Sequence, residues 1–378
     1  LVPSDRSSPL TASAAEAAAE RVRTAAAGER VELICSYLLE RIAQTLRVPA
    51  ADLDAFAQLN ALGVDSLTAV ELRIWVLGDL DVELAVEQLF TTPSIRELAI
   101  VIDQLLGGAT PPAADAGATD AAADGPRWLV CPQPRPDARS RLICFPYAGG
   151  GASAFSDWAD SLPQHIELRV VQLPGREERL GEPLLTDMPA LVDAITREIA
   201  ACADRPFAFF GHSMGAIVSY EVACRLRAMG AAQPRHLFVS ARAAPQLEKG
   251  GEPLRFLDND QFIERLHRTY GAVPQAIRDS AELQAIFLPI LRADVALLET
   301  HVDAAAAPLD CPVTAFGGAD DPAISAAMLA GWQARTKAAF ARHEFPGDHF
   351  FIHAQRETVI ATIVDALSTV ASTGGESR

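Results

Sequence analysis

The stretch Phe207-Ala-Phe-Phe-Gly-His-Ser-Met-Gly215 decides the fold that this sequence predicts. Residues 207–210 indicate a short buried strand, and a Gly-x-Ser-x-Gly pattern follows them directly. Residues 216–229 then carry apolar side chains at helical spacing, with few helix breakers. This order predicts a sharp strand-to-helix turn that exposes the hydroxyl of Ser213. The two glycines suit such a turn because a Cβ at either position would clash. We therefore predict that Ser213 is a nucleophile.

Short apolar runs alternate with helical patterns on both sides of this turn, from Trp128 onward. The pattern predicts strands at 141–146, 168–173, 207–210, 236–240, 311–316 and 342–345. It predicts helices at 154–162, 188–203, 216–229 and 355–369, with a long helical insertion at 254–303. Such alternation is typical of an α/β fold, in which helices cover both faces of a mostly parallel sheet.

Composition narrows the possible functions and partners. The 378 residues carry a net charge of −17, which argues against binding to nucleic acid or to an anionic membrane. No uncharged apolar run is long enough to cross a membrane, and no signal-peptide pattern is present. The six scattered cysteines form no Cys-x-x-Cys pair, so we expect reduced thiols, no bound metal and a cytoplasmic location. Because the chain begins at Leu1, we expect it to be a segment of a longer polypeptide.

A serine hydroxyl needs a base to take its proton, and the base needs a carboxylate to orient it. In this fold the acid and the histidine follow the serine along the chain, at the ends of later strands. His349 lies in the loop between the last strand and the last helix. Asp320 and Asp321 both follow the strand at 311–316, and the spacing from Gly318 favours Asp321. Asp294 is a further candidate for the acid, and we expect it to be structural.

The oxyanion of the tetrahedral intermediate needs two backbone N–H donors. The N–H of Met214, directly after the nucleophile, is the first candidate. The second is expected in the glycine-rich loop after the first strand, from Tyr147 or Ala148, with Ala148 preferred. This loop lacks the Gly-x-Gly-x-x-Gly spacing of a dinucleotide site.

The N-terminal third of the chain predicts a separate helical unit at 29–107, after a linker at 1–28. Helical patterns cover 31–46, 66–77 and 95–106, and Ser94 with Glu97 predicts a capping box. Residues 29–107 contain thirteen acidic and five basic side chains, a net charge of −8. The acidic side chains on and after the second helix are candidates for a docking face; they are Glu71, Asp79, Asp81, Glu83 and Glu87.

Two motifs in this unit resemble the acyl carrier proteins of modular polyketide synthases. They are Leu62-Gly-Val-Asp-Ser-Leu67 and Leu89-Phe-x-x-Pro-Ser-Ile95. The resemblance implies a small four-helix bundle with 4'-phosphopantetheine attached to Ser66 by a phosphopantetheinyl transferase. A serine at a helix N-terminus suits a phosphodiester, because the backbone N–H groups and the helix dipole favour negative charge there.

Residues 108–126 consist almost entirely of Ala, Gly, Pro, Asp and Thr and predict a flexible linker. A random coil of this length spans ~25 Å. A carrier on such a tether would meet a neighbouring active site at an effective concentration on the order of millimolar.

Five motifs within 127–372 resemble the type II thioesterases of polyketide and peptide synthases. They are Phe145-Pro-Tyr-Ala-Gly-Gly150, Leu173-Pro-Gly-Arg-Glu-Glu-Arg179, Gly211-His-Ser-Met-Gly-Ala216, Leu288-Pro-Ile-Leu-Arg-Ala-Asp294 and Gly347-Asp-His-Phe350. The resemblance implies an α/β-hydrolase with the triad Ser213, Asp321 and His349, and a lid at about 250–305 over an acyl channel.

One feature departs from this family, because type II thioesterases are normally free-standing and clear wrong or stalled acyl groups. The thioesterases that release a finished chain are normally fused, but they carry their acid one strand after the nucleophile. In this chain that strand ends in Ser240-Ala-Arg242, which offers no acid.

We therefore expect a carrier–thioesterase didomain that works with upstream synthase modules. The acyl chain would pass from the arm on Ser66 to Ser213 and be released by hydrolysis. Editing of aberrant acyl groups and macrocyclising release are the alternatives with the same chemistry. A docking module without activity and a generic esterase are less favoured, because every catalytic role has a candidate residue and a carrier unit is present.

Overall fold

The computed structural model describes residues 20–23, 25, 27–46, 49–50, 53–56, 66–82, 84, 94–107, 128–247, 253–303 and 307–373. The chain divides into two compact units, Leu1–Asp124 and Gly125–Arg378. Among the described residues, no helix combines the length and the apolarity needed to cross a membrane. The same residues contain no group of three His, Cys, Asp or Glu side chains placed to hold a metal ion. All six cysteines have free thiols.

Three long helices are described in the first unit: α1 (Ala27–Leu46), α2 (Ser66–Leu80) and α3 (Ile95–Leu106). Each turns an apolar stripe inward, which is the reason the sequence pattern identified them. The buried residues that form this core include Ile34, Leu38, Ile42, Leu72, Val76, Leu98 and Ile102. Val22 is also part of this core, so the packed unit begins upstream of the expected boundary at residue 29.

The acidic side chain of Asp79 is engaged inside the first unit. Its carboxylate accepts a hydrogen bond from the hydroxyl of Tyr37 at 2.6 Å and forms an ion pair with Arg41. Asp79 therefore connects α2 to α1 within the first unit. At the start of α3, the Ser94 hydroxyl accepts a hydrogen bond from the Glu97 N–H, as the predicted N-cap requires. The Glu97 carboxylate accepts from the Ser94 hydroxyl rather than from the Ser94 backbone N–H, so the bond that would complete the predicted capping box is a different one.

The second unit is built on a seven-stranded sheet. Its strands are β1 (Leu129–Val130), β2 (Ser140–Phe145), β3 (Ile166–Val171), β4 (Phe207–His212), β5 (Leu237–Ser240), β6 (Val313–Gly318) and β7 (Phe340–Phe345). The spatial order is β1-β3-β2-β4-β5-β6-β7, and only β1 runs antiparallel to its neighbour. The predicted mostly parallel sheet is therefore confirmed. Strand β1 was not predicted, because two residues are too few to show a pattern.

Helices cover both faces of this sheet, as predicted. The helices described in this unit are α4 (Trp158–Ser161), α5 (Met188–Ala201), α6 (Met214–Ala228), α7 (Asn259–Tyr270), α8 (Gln275–Asp279), α9 (Ala281–Thr300), α10 (Ala326–Ala330), α11 (Phe351–Ala354) and α12 (Arg356–Thr373). Strand residues alternate between the two faces. Phe209 packs with α5 and α6, whereas Phe210 packs with α4 and α12. The helix expected at 154–162 is instead a 3-10 turn at Ala152–Phe155 followed by α4.

The insertion expected at 254–303 contains α7, α8 and α9. The guanidinium of Arg292 on α9 lies 4.4 Å from the ring centre of Phe262 on α7, so these two helices pack together. Leu297 and Leu298, near the end of α9, belong to the core on one face of the sheet. The last turns of α9 are therefore anchored to the sheet.

A buried carboxylate lies at the amino ends of the parallel strands. Glu167 on β3 accepts hydrogen bonds from Arg141 at 2.8 Å and from Arg169 at 3.0 Å. Burial alone would raise the pKa of Glu167. These two hydrogen bonds, together with one from the Arg135 backbone N–H, outweigh the effect of burial and lower the pKa to about 2.

Candidate active site

Ser213 lies between the end of β4 and the start of α6, at the turn that the sequence predicted. Its backbone has φ +52° and ψ −111°, a strained conformation for a residue with a side chain. Its N–H donates to the carbonyl of Ser240 at 2.8 Å, which holds the turn against β5. A Cβ on Gly211 would lie 2.2 Å from the Gly215 carbonyl oxygen, and a Cβ on Gly215 would lie 2.0 Å from that of Phe145. Glycine is therefore required at both positions.

The structure brings Ser213, His349 and Asp321 into one line of hydrogen bonds. His349 Nε2 lies 3.0 Å from Ser213 Oγ, and His349 Nδ1 lies 2.7 Å from Asp321 Oδ2. The side chain of Asp321 is fully buried and that of His349 is 2% exposed, so water does not compete for the bond between them. The imidazole can accept the hydroxyl proton at one nitrogen while the other remains bonded to the carboxylate.

Asp321 Oδ1 accepts hydrogen bonds from the N–H groups of Ala323 at 2.8 Å and Ile324 at 3.3 Å. These bonds fix the carboxylate with Oδ2 directed at His349. The neighbouring Asp320 is exposed, and its backbone N–H donates to the Gly347 carbonyl. Of the two adjacent candidates for the acid, Asp321 is the one that contacts the histidine.

The two candidate oxyanion donors lie on segments that touch each other. Met214 is the first residue of α6, so the helix itself leaves its N–H unpaired. The close approach of Gly215 to the Phe145 and Pro146 carbonyls presses this helix end against the loop that follows β2. Ala148 lies in that loop, and no acceptor for its N–H is found among the described residues.

Two aromatic side chains beside His349 were not predicted from the sequence. His212 is fully buried, and its Nδ1 lies 2.9 Å from Ser240 Oγ. Burial, assisted by the nearby His349, lowers the pKa of His212 well below its usual value, so its ring is neutral. The ring of Tyr270, the last residue of α7, lies 4.8 Å from that of His349. The lid expected at about 250–305 was predicted to cover the site, but the sequence did not single out Tyr270 as the residue that reaches His349.

Asp294, the further candidate for the acid, is placed differently. It is buried on α9 and forms a two-pronged ion pair with Arg176, at 2.6 and 2.8 Å. Its carboxylate also accepts the Gly149 N–H at 2.7 Å. Its partners are therefore Arg176 and the loop after β2, which agrees with the expectation of a structural role.

Ser66 is the first residue of α2, a helix of 15 residues. Its side chain, the motif residues 62–65 before it and residues 89–93 of the second motif lie outside the described residues. The start of a helix of this length offers unpaired N–H groups and the positive end of the helix dipole. This position fits the phosphodiester of a phosphopantetheine arm.

Two domain families match the chain: the thioesterase domain over residues 140–367 and the phosphopantetheine attachment site over residues 36–102. The gramicidin S biosynthesis protein GrsT of Aneurinibacillus migulanus is 39% identical over 244 residues, which cover 65% of this chain and 95% of that protein. The medium-chain S-acyl fatty acid synthase thioesterase of Rattus norvegicus is 34% identical over 229 residues, which cover 59% of this chain and 86% of that protein.

Similar solved structures point the same way. The type II thioesterase BorB from the borrelidin biosynthetic cluster is 32% identical, with a TM-score of 0.58, and the match covers 63% of this chain and 96% of BorB. YbtT, the type II thioesterase of the yersiniabactin pathway, is 28% identical, with a TM-score of 0.59 over 65% of this chain and 99% of YbtT. The matches confirm the predicted pairing of a carrier unit with a serine thioesterase. The chain belongs to the thioesterase domain family and carries a phosphopantetheine attachment site ahead of that domain.

Proposed function

We propose that Ser213 takes an acyl group from the phosphopantetheine arm attached to Ser66 and that water then releases the acid. The observation that supports this most directly is the pair of hydrogen bonds that joins Ser213 to His349 and His349 to Asp321. The nucleophile, the base and the acid needed for acyl transfer are therefore within hydrogen-bonding distance of one another.

In the first half of the reaction, Ser213 Oγ attacks the thioester carbonyl while His349 Nε2 takes its proton. Asp321 keeps the other imidazole proton on Nδ1 and stabilises the imidazolium. The N–H groups of Met214 and Ala148 bind the oxyanion that develops on the carbonyl oxygen. When the C–S bond breaks, His349 returns the proton to the departing sulfur and Ser213 holds the acyl group as an ester. In the second half, His349 activates a water molecule that hydrolyses this ester.

The phosphopantetheine arm would supply the thiol that presents the acyl group as a thioester. Ser66 is its attachment residue in this proposal, and a phosphopantetheinyl transferase would be the partner that attaches it. The upstream synthase modules would load the acyl chain. Together with the six free thiols, these partners support a cytoplasmic location.

The insertion at 253–303 is proposed to act as a lid over the acyl group. Tyr270 supports this role, because its ring lies against His349 at the end of α7. Phe262, Ile263 and Leu266 give the same helix a buried apolar face. An apolar cover would suit an acyl chain and would keep water from the thioester until transfer.

Release of a finished chain and editing of aberrant chains are two uses of this same chemistry. Fusion to a carrier favours release, because a tether of ~25 Å raises the local concentration of only that one carrier. Editing is favoured by the similarity to BorB and YbtT, which are both described as type II thioesterases.

Intact-protein mass spectrometry of the acyl-loaded holo didomain tests the proposed reaction. We expect the wild type to lose the acyl mass from its arm, Ser213→Ala to retain it, and Ser66→Ala never to acquire the arm. Loss of the acyl group at the wild-type rate from Ser213→Ala would refute the proposal.

Cutting the chain within 108–126 then distinguishes release from editing. If the enzyme releases finished chains, separation of the two units should slow unloading strongly. An unchanged rate, with short acyl groups removed faster than long ones, would favour editing.

A further inference from the structure

The loop that carries the candidate oxyanion donor Ala148 is a tight turn. The N–H of Gly150 donates to the carbonyl of Tyr147 at 3.0 Å, which closes a four-residue turn with Ala148 and Gly149 in the middle. Gly149 has φ +80°, the value at the third position of a type II turn. Type I and type II turns differ by rotation of the peptide between the two middle residues. The orientation of the Ala148–Gly149 peptide therefore decides which turn forms.

Asp294 bonds to this middle peptide. Its Oδ2 accepts the Gly149 N–H at 2.7 Å, and its two oxygens are held by Arg176 at 2.6 and 2.8 Å. The same guanidinium donates to the carbonyl of Gly150 at 3.3 Å. If the middle peptide rotated, the Gly149 N–H would turn away from Asp294, so the pair favours the observed turn.

A second contact holds the far end of the loop. Glu177, which follows Arg176 in the chain, accepts the Ala152 N–H at 2.9 Å and the Ser153 hydroxyl at 2.5 Å. Glu177 has a positive φ of +49°, a conformation uncommon for its residue type. Adjacent residues of the 173–179 motif and the last residue of the 288–294 motif thus converge on one loop.

The buried ion pair between Arg176 and Asp294 is not explained by stability alone. The side chains of Arg176 and Asp294 are 5% and 1% exposed, and two buried charges gain little stability over apolar residues of similar volume. Two apolar side chains of similar volume would fill the same space, but they could not form hydrogen bonds with a backbone N–H on one peptide and a carbonyl on the next. The charged pair therefore differs from an apolar pair in its hydrogen bonds to the Gly149 N–H and the Gly150 carbonyl.

We propose that Asp294 is a positioning residue that holds the Ala148 N–H in place through the turn at 147–150. Asp294 holds the Gly149 N–H and Arg176 holds the Gly150 carbonyl, so these two side chains fix the place of the turn. The Gly150 N–H in turn bonds to the Tyr147 carbonyl, which shares a peptide plane with the Ala148 N–H. Arg176 orients the carboxylate and secures the following carbonyl. This proposal rests on the proposed oxyanion role of Ala148.

The first test compares Asp294→Asn with a matched control, Glu167→Gln. Both remove the charge of a buried carboxylate that binds arginine, but Glu167 lies at the opposite end of the strands. With an acyl-N-acetylcysteamine thioester, Asp294→Asn should lower kcat by about 10- to 100-fold and change KM by less than about threefold, because only the transition state uses the oxyanion donor. Glu167→Gln should retain wild-type kcat at pH 7.

A trifluoromethyl ketone that adds to Ser213 gives a second readout, since its adduct carries an oxyanion. Its inhibition constant should weaken in Asp294→Asn by about the same factor as kcat falls. A loss of folded protein would lower the measured kcat without weakening the inhibition constant of the ketone for the molecules that remain folded. If kcat falls while ketone affinity is unchanged, or if neither changes, the positioning role is refuted.

The double variant Arg176→Met/Asp294→Leu separates positioning from stability. Replacement of the pair by apolar residues should preserve or restore the unfolding temperature. We expect kcat to remain low in this stable protein, and recovery of wild-type kcat would overturn the proposal. Ser213→Ala separates the proposed function from the proposed role of Asp294. If Ser213→Ala stays active, the proposed function fails. If Ser213→Ala is inactive while the Asp294 variants keep wild-type kcat, only the role of Asp294 fails.

Discussion

Replacing Asp321 with asparagine should abolish turnover without unfolding the protein, and the structure explains why. In the wild type, Oδ1 accepts two backbone N–H groups from Ala323 and Ile324, and Oδ2 faces His349 Nδ1. An asparagine must keep its carbonyl oxygen at the Oδ1 position to accept those N–H groups. Its NH₂ group then takes the Oδ2 position and faces the imidazole.

This orientation reverses the proton arrangement of His349. Because the NH₂ group can only donate, Nδ1 must accept, and the imidazole proton moves to Nε2. A protonated Nε2 cannot take the proton of Ser213 Oγ, which lies 3.0 Å away. A wrong tautomer of this kind costs about 10⁴-fold in kcat, which corresponds to about 5 kcal/mol of transition-state stabilisation.

The assay is steady-state hydrolysis of an acyl-N-acetylcysteamine thioester, with thermal unfolding measured on the same samples. Asp320→Asn is the matched control, because Asp320 is adjacent and exposed. We expect near-normal kcat in Asp320→Asn and an unfolding temperature in Asp321→Asn close to that of the wild type. If Asp321→Asn keeps more than about a tenth of the activity, or if Asp320→Asn is inactive, the assignment of the acid is refuted.

Three further predictions test the turn, the charge cluster and the insertion. Gly215→Ala should fail to fold or should lose most activity, because its Cβ would lie 2.0 Å from a carbonyl oxygen; normal activity would show that the turn can relax. The pKa of Glu167 is about 2 in the folded chain against a usual 4.5, so its ionised form contributes about 3 kcal/mol of stability above pH 4.5, which is lost as the pH falls towards 2. In urea unfolding, the difference in the free energy of unfolding between wild type and Glu167→Gln should therefore shrink as the pH falls over that range. A constant difference would contradict the low pKa of Glu167. Amide hydrogen exchange in α7 should be faster than in β4 if the insertion opens as a lid, and equally slow exchange would indicate a fixed cover.

The sequence predicted the central part of the site well because its geometry is local. A strand, a Gly-x-Ser-x-Gly turn and a helix leave little freedom for Ser213, and parallel strands bring their carboxyl ends to one edge of the sheet. Asp321 and His349 could be proposed because both follow strands at that edge. The structure brings both side chains into one line of hydrogen bonds with Ser213, although both residues lie more than a hundred residues later in the chain.

The contacts that the sequence did not predict join elements that are distant along the chain. Asp79 was a candidate for a docking face, and its contacts with Tyr37 and Arg41 were not predicted, because an acidic residue in a helical pattern does not indicate which helix it will contact. The place of Tyr270 against His349 depends on how the insertion folds back over the sheet. Asp294 was expected to be structural, and its contact with the loop after β2 was not predicted, since 145 residues separate it from Gly149.

The position of the acid follows from what the end of β5 does in this chain. The Ser240 carbonyl accepts the Ser213 N–H, and the Ser240 hydroxyl bonds to the ring of the buried His212. The end of β5 therefore holds the strained turn at the nucleophile and at the residue before it. The carboxylate comes instead from the end of β6, and the histidine from the end of β7, the strand beside it. A carboxylate in place of Ser240 would lack the hydroxyl that bonds to His212, whereas an acid after β6 leaves both contacts of Ser240 intact.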